Sequence, residues 1–195
     1  MGRTFAALYD RLSAKEERTT VGPARRALLE HARGRVLEIG AGTGANLPHY
    51  PDGIDLVLTE PDQHMARRMK AESMRVPAEH LPFEDASFDT VVSTLALCTV
   101  DDLPKALAET RRVLKPGGEL LFIEHVRAEP GTKLERWQDR LEGVWGCCAG
   151  GCHPNRDTLS AIRTAGFDVG DVERPEWKLP PLVKPIVIGR AVRSS

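Results

Sequence analysis

The chain has 195 residues, with 27 Lys and Arg against 28 Asp and Glu, so its formal net charge is −1. So even a balance excludes the basic footprint of a nucleic-acid binder, and no apolar run approaches the ~18 residues of a membrane-spanning helix. With 41% hydrophobic residues, the chain can build one core, and a single domain over 1–195 is the expectation.

Residues 1–20 hold no uninterrupted apolar stretch of leader length, which points to a cytoplasmic protein. In that setting Cys98, Cys147, Cys148 and Cys152 are expected as reduced thiols. Apolar Phe5, Leu8, Tyr9 and Leu12 recur at helical spacing and predict a first helix over 3–15. A second runs over 22–33, opened by Pro23 and closed by Gly34. Arg35–Ile39 reads as a buried strand ending at a cluster of glycines. Strands then alternate with helices. The strand Ile54–Thr59 precedes a helix over Gln63–Ser73. A short strand at Met74–Val76 and another at Thr90–Thr94 precede a helix over Leu103–Leu114. Pro116-Gly117-Gly118 forms a turn, and the strand Glu119–Glu124 follows. Beyond it come a helix over Lys133–Val144, a Gly/Cys loop over 146–154, a helix over Asp157–Ala165, and strands over Phe167–Val172 and Leu182–Val192. Alternating strand–helix units imply an α/β fold with a mostly parallel sheet between helices.

Val36-Leu37-Glu38-Ile39-Gly40-Ala41-Gly42-Thr43-Gly44 carries a strand into a glycine turn. Such a turn lets the backbone come close to a ligand at the carboxyl end of the sheet. Several cofactor classes share it, and Gly40-x-Gly42-x-x-Ala45 also fits a relaxed dinucleotide pattern. A nicotinamide-dependent oxidoreductase is therefore one alternative. Two acids favour another reading. Glu38 interrupts an apolar strand and suits a cationic group. Glu60, at the end of the second strand, can accept from two ribose hydroxyls. A cofactor with ribose, positive charge and no phosphate is S-adenosylmethionine.

Glu38-x-Gly40-x-Gly42-x-Gly44 resembles the first motif of the class I S-adenosylmethionine-dependent methyltransferases. The stretches Ala78–Asp89 and Arg111–Gly118 are similar to that family's approaches to its fourth and fifth strands. The resemblance implies a Rossmann-like sheet of seven strands, mostly parallel, with the last antiparallel and helices on both faces. It places Gly40, Gly42 and Gly44 along the methionine and ribose of the cofactor. It also puts Glu60 at the ribose, Ala78 and Glu79 at the adenine, Thr94 and Leu95 at the methionine end, and Thr43 and Asn46 at the carboxylate. Pro77 stands where many relatives carry Asp or Asn. The first helix, with Tyr9-Asp10, is expected to close over the cofactor. Residues 1–33 would then be a helical lid and 130–155 a substrate-side insertion.

A narrower set, Gly44–Tyr50, Ser93–Val100, Glu124-His125-Val126 and Gly151–Thr158, resembles alkyl-thiol methyltransferases and bacterial phospholipid or quinone-type methyltransferases. The implied acceptor is a small molecule, with a thiol sulfur favoured. A phospholipid amine, a phenol or quinone, and a natural product are the alternatives, as is a module that binds the cofactor without transfer. The eukaryotic thiol enzymes carry an apolar N-terminal anchor that residues 1–20 do not show, and peripheral membrane contact is compatible.

Methyl transfer is an in-line displacement that chiefly needs positioning and exclusion of water. A thiol of pKa ~8.5 gains from a nearby base. His125, just after the fifth expected strand, is the preferred base, with His153 second. Asp157 reads as a helix cap or an orienting acid. Cys147-Cys148-x-x-x-Cys152-His153 matches no standard zinc spacing, so no metal is expected there. Trp137, Trp145 and Trp177 read as core or lid residues. Arg25-Arg26 and Arg67-Arg68-x-Lys70 read as solvated helix faces.

Overall fold

A computed structural model describes residues 3–194, apart from the side chains of residues 3–5, 8–10 and 12. The expected role of Tyr9 and Asp10 therefore lies outside the described residues. Two helices come first, α1 (Arg3–Thr19) and α2 (Val21–Leu29), then β1 (Arg35–Ile39), β2 (Asp55–Leu58) and α3 (Gln63–Ala66). Next come β3 (Phe88–Thr94), α4 (Leu103–Val113), β4 (Leu114–His125), α5 (Lys133–Cys148), α6 (Thr158–Thr164), β5 (Phe167–Glu173) and β6 (Ile186–Arg193). Helices α3, α4, α5 and α6 each begin on a side-chain cap, from Asp62, Asp102, Thr132 and Asp157 in turn. Each cap satisfies amide donors that a helix start leaves unpaired.

The strands lie in the order β2-β1-β3-β4-β6-β5. The first four are parallel, and β6 runs antiparallel to both its neighbours. The chain steps outward from β1 to β2 and then returns to the other side of β1 for β3. This reversal opens a crevice at the carboxyl ends of the strands, where ligands of such sheets bind. Alternating side chains divide the core between the two faces. Leu37, Val91, Leu120 and Phe122 face one way and meet Leu103 and Leu107 of α4 and Ile162 of α6. Val36, Val92, Leu121 and Ile123 face the other way and meet Leu28 and Leu29 of α2. Helix α2 is thus a core layer, although residues 1–33 were expected to form a lid.

The sheet has six strands among the described residues, not the seven expected. Met74–Val76 contributes only one parallel bridge, Met74 to Thr59. Pro77, close behind it, has no N–H to extend a ladder. The helix expected to reach Ser73 stops at Ala66, because the amides of Arg68 and Met69 turn to carbonyls three residues back. Strand β4 starts at Leu114, since Leu114 already pairs with Phe88, and an irregularity in register absorbs Pro116-Gly117-Gly118. Helix α5 runs on through Cys147 and Cys148, which were expected in a loop. Strand β6 starts at Ile186 because Pro181–Val183 form a tight 3-10 turn ahead of it.

Candidate active site

The turn after β1 passes through Gly40, Gly42 and Gly44 at φ of 62°, 59° and 88°. This left-handed region strains any residue with a Cβ. Packing adds a second demand at two of them. A Cβ on Gly40 would lie 2.6 Å from that of Ala96, and one on Gly44 would lie 2.7 Å from Leu47 Cδ1. On Gly42 it would meet only Met65 Cε, at 3.7 Å. Gly42 instead borders a cavity of about 600 Å³, within the usual range for small-molecule sites.

Of the residues expected to hold a cofactor, Gly40, Gly42, Thr43, Glu60, Ala78, Glu79, Thr94 and Leu95 line this cavity. Glu38, Gly44 and Asn46 do not, and work from behind the wall. Asn46 Nδ2 donates to Glu38 Oε1 at 2.9 Å and to Thr94 Oγ1 at 2.9 Å, while Tyr50 OH donates to Glu38 Oε2 at 2.8 Å. Both Glu38 oxygens are thus engaged by neutral donors. Burial pushes its pKa up from 4.5 to about 7, against the Tyr50 hydrogen bond, Arg25 and Asn46.

Arg25 completes this network. Expected on a solvated helix face, it is 3% exposed and lines the cavity, whereas Arg26 is exposed. Its guanidinium donates to Asn46 Oδ1 at 2.8 Å, to Thr94 Oγ1, and to Glu17 at the end of α1. Helix α2 turns toward the core here, and the fixed fork of arginine donors reaches three acceptors at once. Arg67, Arg68 and Lys70 are exposed, as expected.

Glu60, just after β2, accepts from Gly42 N at 2.7 Å and from Asp62 N at 2.8 Å. Its carboxylate is fixed at the cavity wall, where burial raises its pKa. Glu79 accepts at Oε1 from the amides of Asp101 and Asp102, so it also positions the start of α4.

At the far end, Glu124 of β4 is fully buried. It accepts from Ser93 Oγ at 2.6 Å and from the amides of Ala96, Leu97 and Cys98 at 3.1–3.2 Å. This one side chain shapes the loop after β3, where Leu95 takes φ 59°. His125, at the end of β4, lines the cavity. Its Nδ1 lies 3.8 Å from Cys98 Sγ and 3.6 Å from Cys152 Sγ. Hydrogen bonding between the two thiols pushes Cys98 up and pulls Cys152 down, and His125 adds to the effect on Cys152. Glu60 and His125 stand three strand spacings apart, about 14 Å along the row of strand ends.

The other candidates are placed elsewhere. His153 pairs through Nδ1 with Glu142 of α5, and Asp157 is exposed and caps α6 through Ser160 N. Trp137 is exposed, Trp145 packs against Cys98 and Cys152, and Trp177 packs under the sheet. Cys147 and Cys148 are exposed on the last turn of α5. Arg25 and Glu124 escaped the sequence reading of the site. An acid inside the apolar run Leu120–Ile123 and Val126 was the available signal for Glu124, but nothing local marked Arg25.

The cavity suits S-adenosylmethionine. Glu60 holds a fixed carboxylate that could accept from a ribose diol, and the free space above Gly42 could admit a ligand against the backbone. Arg25 lines the cavity near the glycine turn and could pair there with a carboxylate. Known proteins agree with this fit. The model of a methyltransferase domain matches residues 37–122. The chain is 38% identical over 181 residues to the human thiol S-methyltransferase TMT1B, covering 85% of this chain and 74% of that protein. It is 31% identical over 155 residues to phosphatidylethanolamine N-methyltransferase of Cereibacter sphaeroides, covering 72% and 75%. A Thermotoga maritima S-adenosylmethionine-dependent methyltransferase, a possible histamine N-methyltransferase, shares the fold at a TM-score of 0.74 and 23% identity, over 98% of both chains. These matches set aside the nicotinamide reading of the glycine turn and the non-catalytic one. The chain belongs to the S-adenosylmethionine-dependent methyltransferases, enzymes for which S-adenosylmethionine is the methyl donor.

Proposed function

We propose that the acceptor is a small molecule carrying a thiol. The observation that carries this reading is the far end of the cavity, where His125 stands between two cysteine sulfurs. A soft, polarisable wall suits a sulfur acceptor, and a histidine at this place raises its thiolate fraction near neutral pH. The likeness to TMT1B supports the same class.

S-adenosylmethionine supplies an activated methyl group, so the protein's own work is placement. Glu60 and the backbone at Gly42 hold the adenosyl side. Arg25, Thr94 and Asn46 fix the wall between that side and the acceptor. Glu124 holds the loop that carries Ala96–Cys98 against the acceptor end. Gly146, Cys147 and residues 149–152 border the same cavity, where closure would exclude water. No helix among the described residues is long and apolar enough to cross a membrane.

The test is transfer of a labelled methyl from S-adenosylmethionine to alkyl thiols, set against phosphatidylethanolamine vesicles, catechols and quinols. Turnover with thiols that falls by at least tenfold in His125→Ala is the expected result. The phospholipid amine is the second reading, carried by the bacterial relative. Transfer to vesicles with none to thiols would replace the first reading with it.

A further inference from the structure

Cys98, His125 and Cys152 come from three segments, the loop after β3, the end of β4 and the loop after α5. Their potential ligand atoms nevertheless lie within 4.8 Å of one another. The two sulfurs stand 3.8 and 3.6 Å from His125 Nδ1. A tetrahedral zinc ion with Zn–S ~2.3 Å and Zn–N ~2.0–2.1 Å holds its sulfur and nitrogen ligands about 3.6 Å apart, and two sulfurs about 3.8 Å apart. The two sulfur–nitrogen distances are thus close to those of such a site, and the two sulfurs lie within 4.8 Å of each other.

Its surroundings hold the trio in place. His153 N donates to Cys98 O at 2.8 Å, joining the two thiol-bearing segments through the backbone. Cys98 N is anchored on Glu124. Arg156, which donates to Leu97 O at 3.0 Å, places its positive charge close to both sulfurs. All three ligand residues line the cavity.

We propose that Cys98, His125 and Cys152 form a zinc site with three protein ligands and a fourth position open to the cavity. Two thiolates and an imidazole suit zinc and exclude calcium and magnesium, which take oxygen ligands. Three ligands with one open position are the mark of a reactive rather than a closed structural site. The role of the open position rests on the thiol reading above. There the acceptor's S–H bond breaks, its proton leaves to solvent, and a Zn–S bond holds the thiolate. A new S–CH3 bond then forms as the donor's sulfonium S–CH3 bond breaks, and the neutral thioether, a weak ligand, departs. In this arrangement His125 is a ligand, and the metal takes over the promotion of the thiolate that the reading above gave to His125.

The test uses the full chain, purified under reducing conditions, stripped with a chelator, and shown by calorimetry still to bind S-adenosylmethionine. Titration should take up one equivalent of zinc. Cobalt(II) in its place should show thiolate charge-transfer absorption and the intense visible bands of a tetrahedral ion. Cys152→Ser and His125→Ala should weaken uptake by at least about tenfold, while Cys148→Ser should leave it unchanged. The cobalt spectrum of the unmodified chain decides the matter even if a variant fails to fold. Uptake well below one equivalent, cobalt without the thiolate band, or unchanged uptake in a folded Cys152→Ser would overturn the site. Stoichiometric binding without turnover of thiols would leave the site standing and remove the thiol reading. Full turnover of thiols by metal-free protein would keep the thiol reading and remove the part given in it to the open position.

Discussion

Arg25 and Thr94, 69 positions apart, are joined by a hydrogen bond from the guanidinium to the threonine hydroxyl. That bond ties α2, on one face of the sheet, to the end of β3 in the cavity wall. Thr94 also accepts from Asn46, and Asn46 in turn donates to Glu38. A helix outside the glycine turn thereby sets the geometry of the turn's own supporting residues.

Replacing Arg25 tests that link. Arg25→Ala leaves Asn46 Oδ1 without its donor and Glu17 without its partner. Loss of one member of a buried ion pair typically costs about 3–5 kcal/mol, and Glu17 is partly exposed, so the lower end applies. Urea unfolding should show that loss, and calorimetry should show at least tenfold weaker binding of S-adenosylmethionine. Arg25→Lys should recover part of the stability, because a single ammonium cannot reach all three acceptors. Unchanged affinity in both variants would remove Arg25 from the site.

Gly40 and Gly42 should fail differently. Alanine at Gly40 meets both a left-handed φ of 62° and the Ala96 side chain at 2.6 Å. The φ alone costs about 1–2 kcal/mol, and overpacking adds a further 1–3 kcal/mol or so. Alanine at Gly42 bears the φ penalty alone, but its methyl enters the cavity. Gly42→Ala should therefore lose cofactor affinity out of proportion to its stability, while Gly40→Ala loses both. Paired thermal unfolding and calorimetry check this, and equal losses of stability would refute the distinction.

Glu38 gives a pH prediction. Its folded pKa, about 7, lies above the ordinary 4.5, so between these values the folded chain holds more protons than the unfolded one. Stability from this group is complete below pH 4.5 and is lost as pH rises through 7. The shift corresponds to roughly 3 kcal/mol at the alkaline end. Glu38→Gln keeps an acceptor for Asn46 and an amide that can donate to Tyr50, but it cannot ionise. The cofactor-free variant should gain stability relative to the parent progressively between pH 5 and 8. Glu60 and Glu124 titrate in both proteins, so the difference between the two curves isolates Glu38. A flat difference would contradict the buried, raised carboxyl.

How much of this was legible in the sequence follows the range of the interactions involved. The glycine turn was readable because strand, glycines and following acid lie within a few residues and each obeys a local steric rule. The parallel strands β1 to β4 were readable because their residues alternate between two buried faces. The helix from Gln63 was overread, since its apolar pattern continues past Ala66 while its hydrogen bonding does not. Arg25 was misread because a two-arginine run on a helix looks solvated until the tertiary fold turns one of them inward. The cysteines misled by proximity. Cys147, Cys148, Cys152 and His153 are neighbours in sequence, but the spatial cluster takes only Cys152 from them and adds Cys98 and His125 from distant strand ends.

Glu124 supports the last prediction. One buried carboxylate receives three consecutive backbone amides and a serine hydroxyl, and those amides belong to the loop at the end of the cavity proposed for the acceptor. Glu124→Ala leaves four buried donors, three amides and the Ser93 hydroxyl, unpaired beside a new cavity. Each unpaired donor costs about 1–3 kcal/mol, so this variant should be severely destabilised. Glu124→Gln keeps one acceptor oxygen toward Ser93, Ala96 and Leu97 but turns an amide group toward Cys98 N, a donor facing a donor. It should fold with a smaller loss, about 1–3 kcal/mol. Because the displaced loop borders the acceptor rather than the adenosyl side, affinity for S-adenosylmethionine should change little. Turnover and KM for the acceptor should worsen together. Equal weakening of donor and acceptor binding would show instead that Glu124 acts on the whole cavity.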